Sequence, residues 1–181
     1  MSEWRQRGRR CGLVVVAIAL ATMLLRAQIS SAFVTRGDDL SYSGNPTRSR
    51  EMYERALLAD PRNRVAADRY AFSAMMSHQM PLLVSAIAEL DRALTREPHD
   101  LALRMDRGLC EQAAHRFPDA VRDFAYVGRS AHDPRALTFA ALDVASVDRR
   151  RARAYLIEAV GYDPRFEPAV RDLHRFEKKR S

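Results

Sequence analysis

The chain has 181 residues, of which 47% are hydrophobic and 29% charged, with only seven glycines and eight prolines. That is a globular composition of single-domain or small-array size, and it excludes collagen-like, low-complexity and disordered classes. Thirty basic residues against 23 acidic give +7. Arg5, Arg7, Arg9, Arg10 and Arg26 against Glu3 place +4 of that charge in the first thirty residues, leaving +3 for the other 151. The basicity is thus largely N-terminal, and no nucleic-acid partner is expected. Cys11 and Cys110 form neither a disulfide framework nor a metal-finger spacing, and Cys110 reads as a small buried hydrophobe.

The first predicted element is apolar. Residues 12–25 carry no charge and follow four arginines, the pattern of a membrane-targeting segment. As a helix the fourteen residues cover about 21 Å, short of the roughly 30 Å hydrocarbon layer, so the length suits a cleavable signal as well as an anchor. Ser30-Ser31-Ala32 offers small residues for a cut after Ala32. An uncleaved anchor instead recruits Cys11 and residues 27–34, with Arg26 snorkelling near the interface. Burial of residues 13–25 in a soluble protein is the third reading. The flanking arginines favour a cytoplasmic N-terminus with the remainder translocated. Arginine outnumbers lysine 28 to 2, a composition associated with GC-rich bacterial genomes.

A repeat follows. From Gly37, steps of twelve, four, three and five residues reach Ser49, Tyr53, Ala56 and Pro61. The same offsets from Ala74 land on Ala86, Leu90, Ala93 and Pro98, and from Ala140 on Ala152, Leu156, Ala159 and Pro164. From Gly108 they give Ala120, Phe124 and Val127, with the proline two residues late at Pro134. Each frame reads as two antiparallel helices. Leu101, Met105, Leu109 and Ala113 stack on one helical stripe, Arg116-Phe117-Pro118-Asp119 forms a short connection, and Ala120, Phe124 and Val127 make the inner stripe of the second helix. Small residues at Gly108 and Ala120 suit a close helix crossing. Asp60-Pro61, Glu97-Pro98, Asp133-Pro134 and Asp163-Pro164 mark the junctions. Phe166, Val170, Leu173 and Phe176 fall on one face of a final helix with a charged remainder.

These residues resemble the tetratricopeptide repeat family. The frames start 37, 34 and 32 residues apart, around the family's period of about 34. The first helices lack the family's usual Trp and Leu, the fourth repeat is about two residues short, and three extra residues around Arg64 to Ala66 precede the second. The resemblance implies an all-α, right-handed superhelical solenoid with about four repeats, over roughly 31–63, 64–100, 101–134 and 135–164, closed by a capping helix and tail at 165–181. A basic tail at 1–10 and a signal anchor at 11–30 precede it. Because the first repeat helix begins near Ser30, continuous with the apolar run, an uncleaved anchor is favoured.

The family resemblance implies protein or peptide binding, mainly through the first helix of each pair, with Met75, His78, Gln79, Met105, Leu109 and Gln112 as the candidate groove residues. Packing of Met75 and Met105 between repeats is the competing account. Relatives that clamp a terminal carboxylate use Lys, Asn and Arg along the first helices. Here Lys178 and Lys179 lie in the tail, and Arg69, Arg104 and Arg107 have Asp68 and Asp106 beside them, which disfavours such a clamp. No zinc-protease, phosphate-loop or nucleophile-elbow motif occurs, and His99, His115 and His132 fall at helix ends or turns. An enzyme with a site around His78 and nearby acids is the disfavoured class, and no cofactor, metal or small-molecule substrate is expected. Asp119 and Asp123 read as a solvated pair, and Arg149 to Arg153 as a solvated inter-helix turn. The overall expectation is a scaffold in the bacterial inner membrane with its repeats in the periplasm, the alternative being a cleaved, secreted module that binds glycan or lipid.

Overall fold

A computed structural model describes residues 2–178, with side-chain surroundings from residue 13 onward. Arg5 to Arg10, Cys11, Lys179 and the end of the tail therefore lie outside the described side chains. The described residues form α1 (Ser2–Tyr42), α2 (Pro46–Ala59), α3 (Arg64–Ser77), α4 (Met80–Arg96), α5 (Leu101–Ala113), α6 (Phe117–Ala131), α7 (Pro134–Val144), α8 (Arg149–Tyr162) and α9 (Glu167–Lys178), with no strand among them. They divide into two compact units, Met1–Arg69 and Tyr70–Ser181.

In the first unit the C-terminal part of α1 packs antiparallel against α2. Ser30 Oγ donates to the Ala56 carbonyl at 2.8 Å, and Asn63 Nδ2 donates to Ser30 Oγ at 2.8 Å. Farther along, the Tyr53 hydroxyl donates to Asp38 at 2.8 Å, while Arg69 pairs with the same carboxylate at 3.2 Å. At Gly37 the helix approaches the Tyr53 ring closely. A Cβ built there would lie 2.4 Å from the Tyr53 ring. The helix α1 is unbroken from the apolar run through this packed segment, but residues 13–29 are all exposed and Ser30 is the first buried position among the described residues.

The second unit repeats that crossing. A Cβ at Gly108 would lie 2.7 Å from the Phe124 ring of α6. Phe124, Ala120, Ala140, Ala152, Leu156 and Ala159 are fully buried, so the inner stripes of α6 and α8 occupy the core at the offsets read from the sequence. Ala74, Ala86 and Leu90 are likewise fully buried, with Ala93 half-buried. The pairing of residue sizes is systematic: glycine faces an aromatic in two frames, whereas alanine takes the same position where the partner offset holds leucine.

Caps set the helix ends. Asn45, Asp100, Asp133 and Asp148 each accept a backbone N–H from the helix they precede. The Asp-Pro pairs divide into two roles. Asp60 and Asp163 close α2 and α8, with their prolines in the turn, but Asp133 is the N-cap of α7 and Pro134 its first residue. The proline displaced by two residues therefore starts a helix: His132 takes the left-handed conformation (φ 53°) and ends α6, and Asp133 then caps α7. The three added residues at Arg64 to Ala66 become the first turn of α3. At α9 the buried face holds Ala169, Asp172 and, in part, Leu173 and Phe176; Val170 is half-buried beside it.

Two substitutions test this crossing. Gly37→Ala should destabilise the protein by about 1–3 kcal/mol through overpacking against Tyr53, while Gly161→Ala in α8, where an added Cβ meets nothing within 4 Å, should stabilise it by about 0.5–1 kcal/mol. Thermal melts of the two variants check the opposite signs.

Candidate partner-binding face

Met105, Leu109 and Gln112 are spaced to share one face of α5. Met105 and Leu109 are half-buried against the α6–α8 core. Gln112 Nε2 donates to Asp143 Oδ1 of α7 at 2.7 Å, joining the first helices of successive pairs. The other Asp143 oxygen is buried without a partner. Burial raises the Asp143 carboxyl above the ordinary carboxylate range, against the opposing effect of the Gln112 hydrogen bond.

On α3 the picture is more open. Met75 is half-buried, while His78 and Gln79 are exposed in the connection to α4, where His78 is left-handed (φ 53°) and Gln79 caps α4. Phe72 and Met76, absent from the sequence candidates, are 56% and 63% exposed. Phe72, Met75 and Met76 follow the i, i+3, i+4 spacing of one face of α3, whereas Gln79 lies beyond the helix end. Their signal lay in the sequence as large apolar residues set apart from the stripe formed by Ala67, Ala71 and Ala74, all buried. His78 has no carboxylate or nucleophile within hydrogen-bond reach among the described residues. Among the described residues no group of three His, Cys, Asp or Glu is placed to hold a metal.

The charged groups mostly serve packing. Asp123 is 2% exposed, which corrects its reading as solvated: an acidic residue at that offset faces α5, where it meets two arginines. Arg107 donates to it through Nε at 2.6 Å and Nη2 at 2.8 Å, and Arg104 through Nη1 at 3.2 Å. Arg107 also reaches Asp91 of α4 at 2.6 Å, and Arg104 lies over the Tyr126 ring and donates to the Pro98 carbonyl. These partners hold the Arg107 guanidinium protonated. Arg69, Arg104 and Arg107 are all paired, so none stands ready as a carboxylate clamp.

The basic run at Arg149 to Arg153 is solvated at Arg149 to Arg151, as expected, but it is helical and not an inter-helix turn. It is the first turn of α8, where Asp148 caps the helix, Arg149 donates to the Phe176 carbonyl and Arg153 pairs with Glu177, both on α9. A cleft of about 740 Å³ between α7 and α9 is lined in part by Leu142, Arg149, Asp172, Arg175 and Phe176. Its arginines are tied to the Phe176 carbonyl and to Asp172. Cys110 is fully buried, with its thiol pushed up to about 12 by desolvation, and is chemically quiet.

Three solved structures are similar over most of the chain. YrrB, described as a TPR protein with an unusual peptide-binding site, aligns with a TM-score of 0.67 at 21% identity, covering 79% of this chain and 73% of its own. MamA gives 0.68 at 16% identity, covering 80% and 84%. PilF from Pseudomonas aeruginosa gives 0.67 at 16% identity, covering 86% and 70%. The chain has a tetratricopeptide-repeat fold. No family model and no curated protein matches it. Within the tetratricopeptide fold, the glycine crossings fall at the small-residue positions that the repeat requires.

Glu111 of α5 supplies a pH test. It is 5% exposed, and one of its oxygens is buried without a partner. Burial first, then the Asp123 charge, raises its carboxyl to about 7 from 4.5. The folded state thus holds a proton that the unfolded state releases, so this contribution to stability is complete below about 4.5 and is lost as pH rises through about 7. Glu111→Gln should raise the melting temperature at pH 8 by a few degrees and leave it nearly unchanged at pH 4.5. Melts at the two pH values check the difference.

Proposed function

We propose that this chain is a membrane-anchored, non-catalytic scaffold that presents its tetratricopeptide array to a protein partner at the bacterial cell envelope. The observation that carries the reading is the unbroken helix α1. It joins an apolar segment, with a mean hydropathy of 2.0 over 18 residues, to the first helix pair. The apolar residues are exposed, as a lipid-facing span is, and not buried, as a core helix would be. A cut after Ala32 would remove Ser30, which is fully buried and bonded to both Ala56 and Asn63. That cost supports retention of the segment as an anchor. The arginines before the span support a cytoplasmic N-terminus and repeats on the periplasmic side of the inner membrane.

Scaffolding is supported by the fold and by the use to which most surviving polar groups are put. Arg104, Arg107 and Asp123 lock helices together, whereas α3 carries an exposed apolar face at Phe72 and Met76. We assign partner contact to that face, with Phe72 and Met76 added to Met75, His78 and Gln79, and with Met105, Leu109 and Gln112 continuing it on α5. YrrB is described as having a peptide-binding site, and a peptide or protein segment with apolar side chains fits this surface. The repeats are taken as 31–63, 64–100, 101–134 and 135–164, with the cap at 165–181.

Two measurements test the reading. After alkaline carbonate extraction the protein should stay with the membrane and retain residues 13–32 by peptide mapping; release, or a mature chain starting at Phe33, would contradict the anchor. A photocrosslinking residue at Phe72 should trap a discrete protein, and Met76→Asp should abolish that adduct. No Met76-dependent adduct would contradict the assigned face.

A further inference from the structure

The contacts that hold α2 to α1 also fix the height of the α2–α3 turn along the anchor. Arg26, the residue after the apolar run, donates through Nε to the carbonyl of Ala59, the last residue of α2, at 2.8 Å. One turn farther along α1, Ser30 accepts from Asn63 in the α2–α3 connection. The turn is thereby pinned beside residues 26–30, within about 8 Å of the end of the apolar run along the helix axis.

The short run brings this turn closer still to the lipid. Fourteen apolar residues fall about 9 Å short of the hydrocarbon thickness, so the bilayer either thins or draws in the residues after Leu25, where Ala27 and Ile29 are exposed. In both cases residues 58–65 meet the headgroup layer. Their composition suits that layer. Leu58 and Val65 are 75% and 51% exposed, and Arg62 is exposed at the tip. From Glu54 to Val65 the chain carries Arg55, Arg62 and Arg64 against Glu54 and Asp60, and Arg26 adds a fourth cation. Asp60 is engaged in closing the turn, accepting the Arg62 backbone N–H at 3.0 Å.

We infer that the α2–α3 turn is a second membrane contact, in which Leu58 and Val65 enter the interface and Arg62 binds the phosphate of anionic phospholipid. The guanidinium fork matches a phosphate diester, and basic residues beside a span are drawn to anionic lipid. The contact would stop the first helix pair from pivoting about its anchor. This inference rests on the proposed anchoring, and the test separates the two.

Full-length protein carrying Cys11→Ser and Leu58→Cys, labelled at residue 58 with an environment-sensitive fluorophore, is placed in nanodiscs of phosphatidylcholine with or without phosphatidylglycerol. The quencher is a nitroxide on the lipid headgroup, and the fully buried Cys110 is shielded from labelling. Tyr42→Cys, at a site 93% exposed and about 18 Å beyond Ser30 along α1, is the control. Quenching at residue 58 should exceed that at residue 42, and Arg62→Glu should reduce it at least about twofold in the discs with phosphatidylglycerol. Protein that inserts but shows equal quenching at both sites, or no effect of Arg62→Glu, overturns the contact and leaves the anchor standing. Protein that does not insert overturns both.

Discussion

The close crossing within each helix pair is the constraint on which the rest of the structure depends. At Gly37 and Gly108 the facing Tyr53 and Phe124 rings occupy the space a Cβ would need. Interiors packed to crystal density leave no slack for an added methyl group without displacement. Where the ring becomes Leu90 or Leu156, alanine is admitted at Ala74 or Ala140. The volume shared between the two positions is thus kept roughly constant, although either residue alone varies. The crossing sets how the inner stripes interdigitate, and those stripes supply the core: Ala120, Phe124, Leu156 and Ala159 are fully buried.

A second layer of specificity is polar. Asp123 is buried, yet it accepts three hydrogen bonds from Arg104 and Arg107, and Arg107 continues to Asp91. The network links α4, α5 and α6 and fixes their register, because removing one partner would strand a buried charge. Glu111 beside it lacks such compensation at one oxygen, and burial, with the Asp123 charge, raises its carboxyl above the ordinary range. Arginines that might have recognised a ligand are spent on neighbouring helices. Phe72 and Met76 are the most exposed apolar residues of α3, and the proposed partner contact is assigned to them.

Much of this was legible in the sequence because the repeat offsets are themselves packing rules. Small residues, aromatics and prolines recur where the helices cross or end, and four frames agreeing on one template fixed the architecture. The proline at 134 was misleading, since the sequence pair Asp-Pro serves both as a helix stop and as an N-cap with its first residue; only the left-handed backbone at His132 decides between them. Asp123 was misplaced for a different reason. An acid on a helix reads as solvated until its partners are known, and those partners lie 16 and 19 residues earlier on another helix. The outward position of Phe72 follows from the buried stripe of Ala67, Ala71 and Ala74, from which it is set apart around the helix.

Under the proposed anchoring, the continuity of α1 makes the first repeat an extension of the span, so the register of that helix pair would also set the register of the protein at the membrane. A double-mutant cycle at Gly108 and Phe124 measures the crossing most directly. Gly108→Ala alone and Phe124→Leu alone should each destabilise the protein, by overpacking and by loss of ring volume. The double variant, which recreates the Ala–Leu pairing of two other frames, should recover about 1–2 kcal/mol relative to the sum of the singles. Additive losses within about 0.5 kcal/mol would mean that the two positions do not share one volume, and would contradict the packing rule from which the fold is derived.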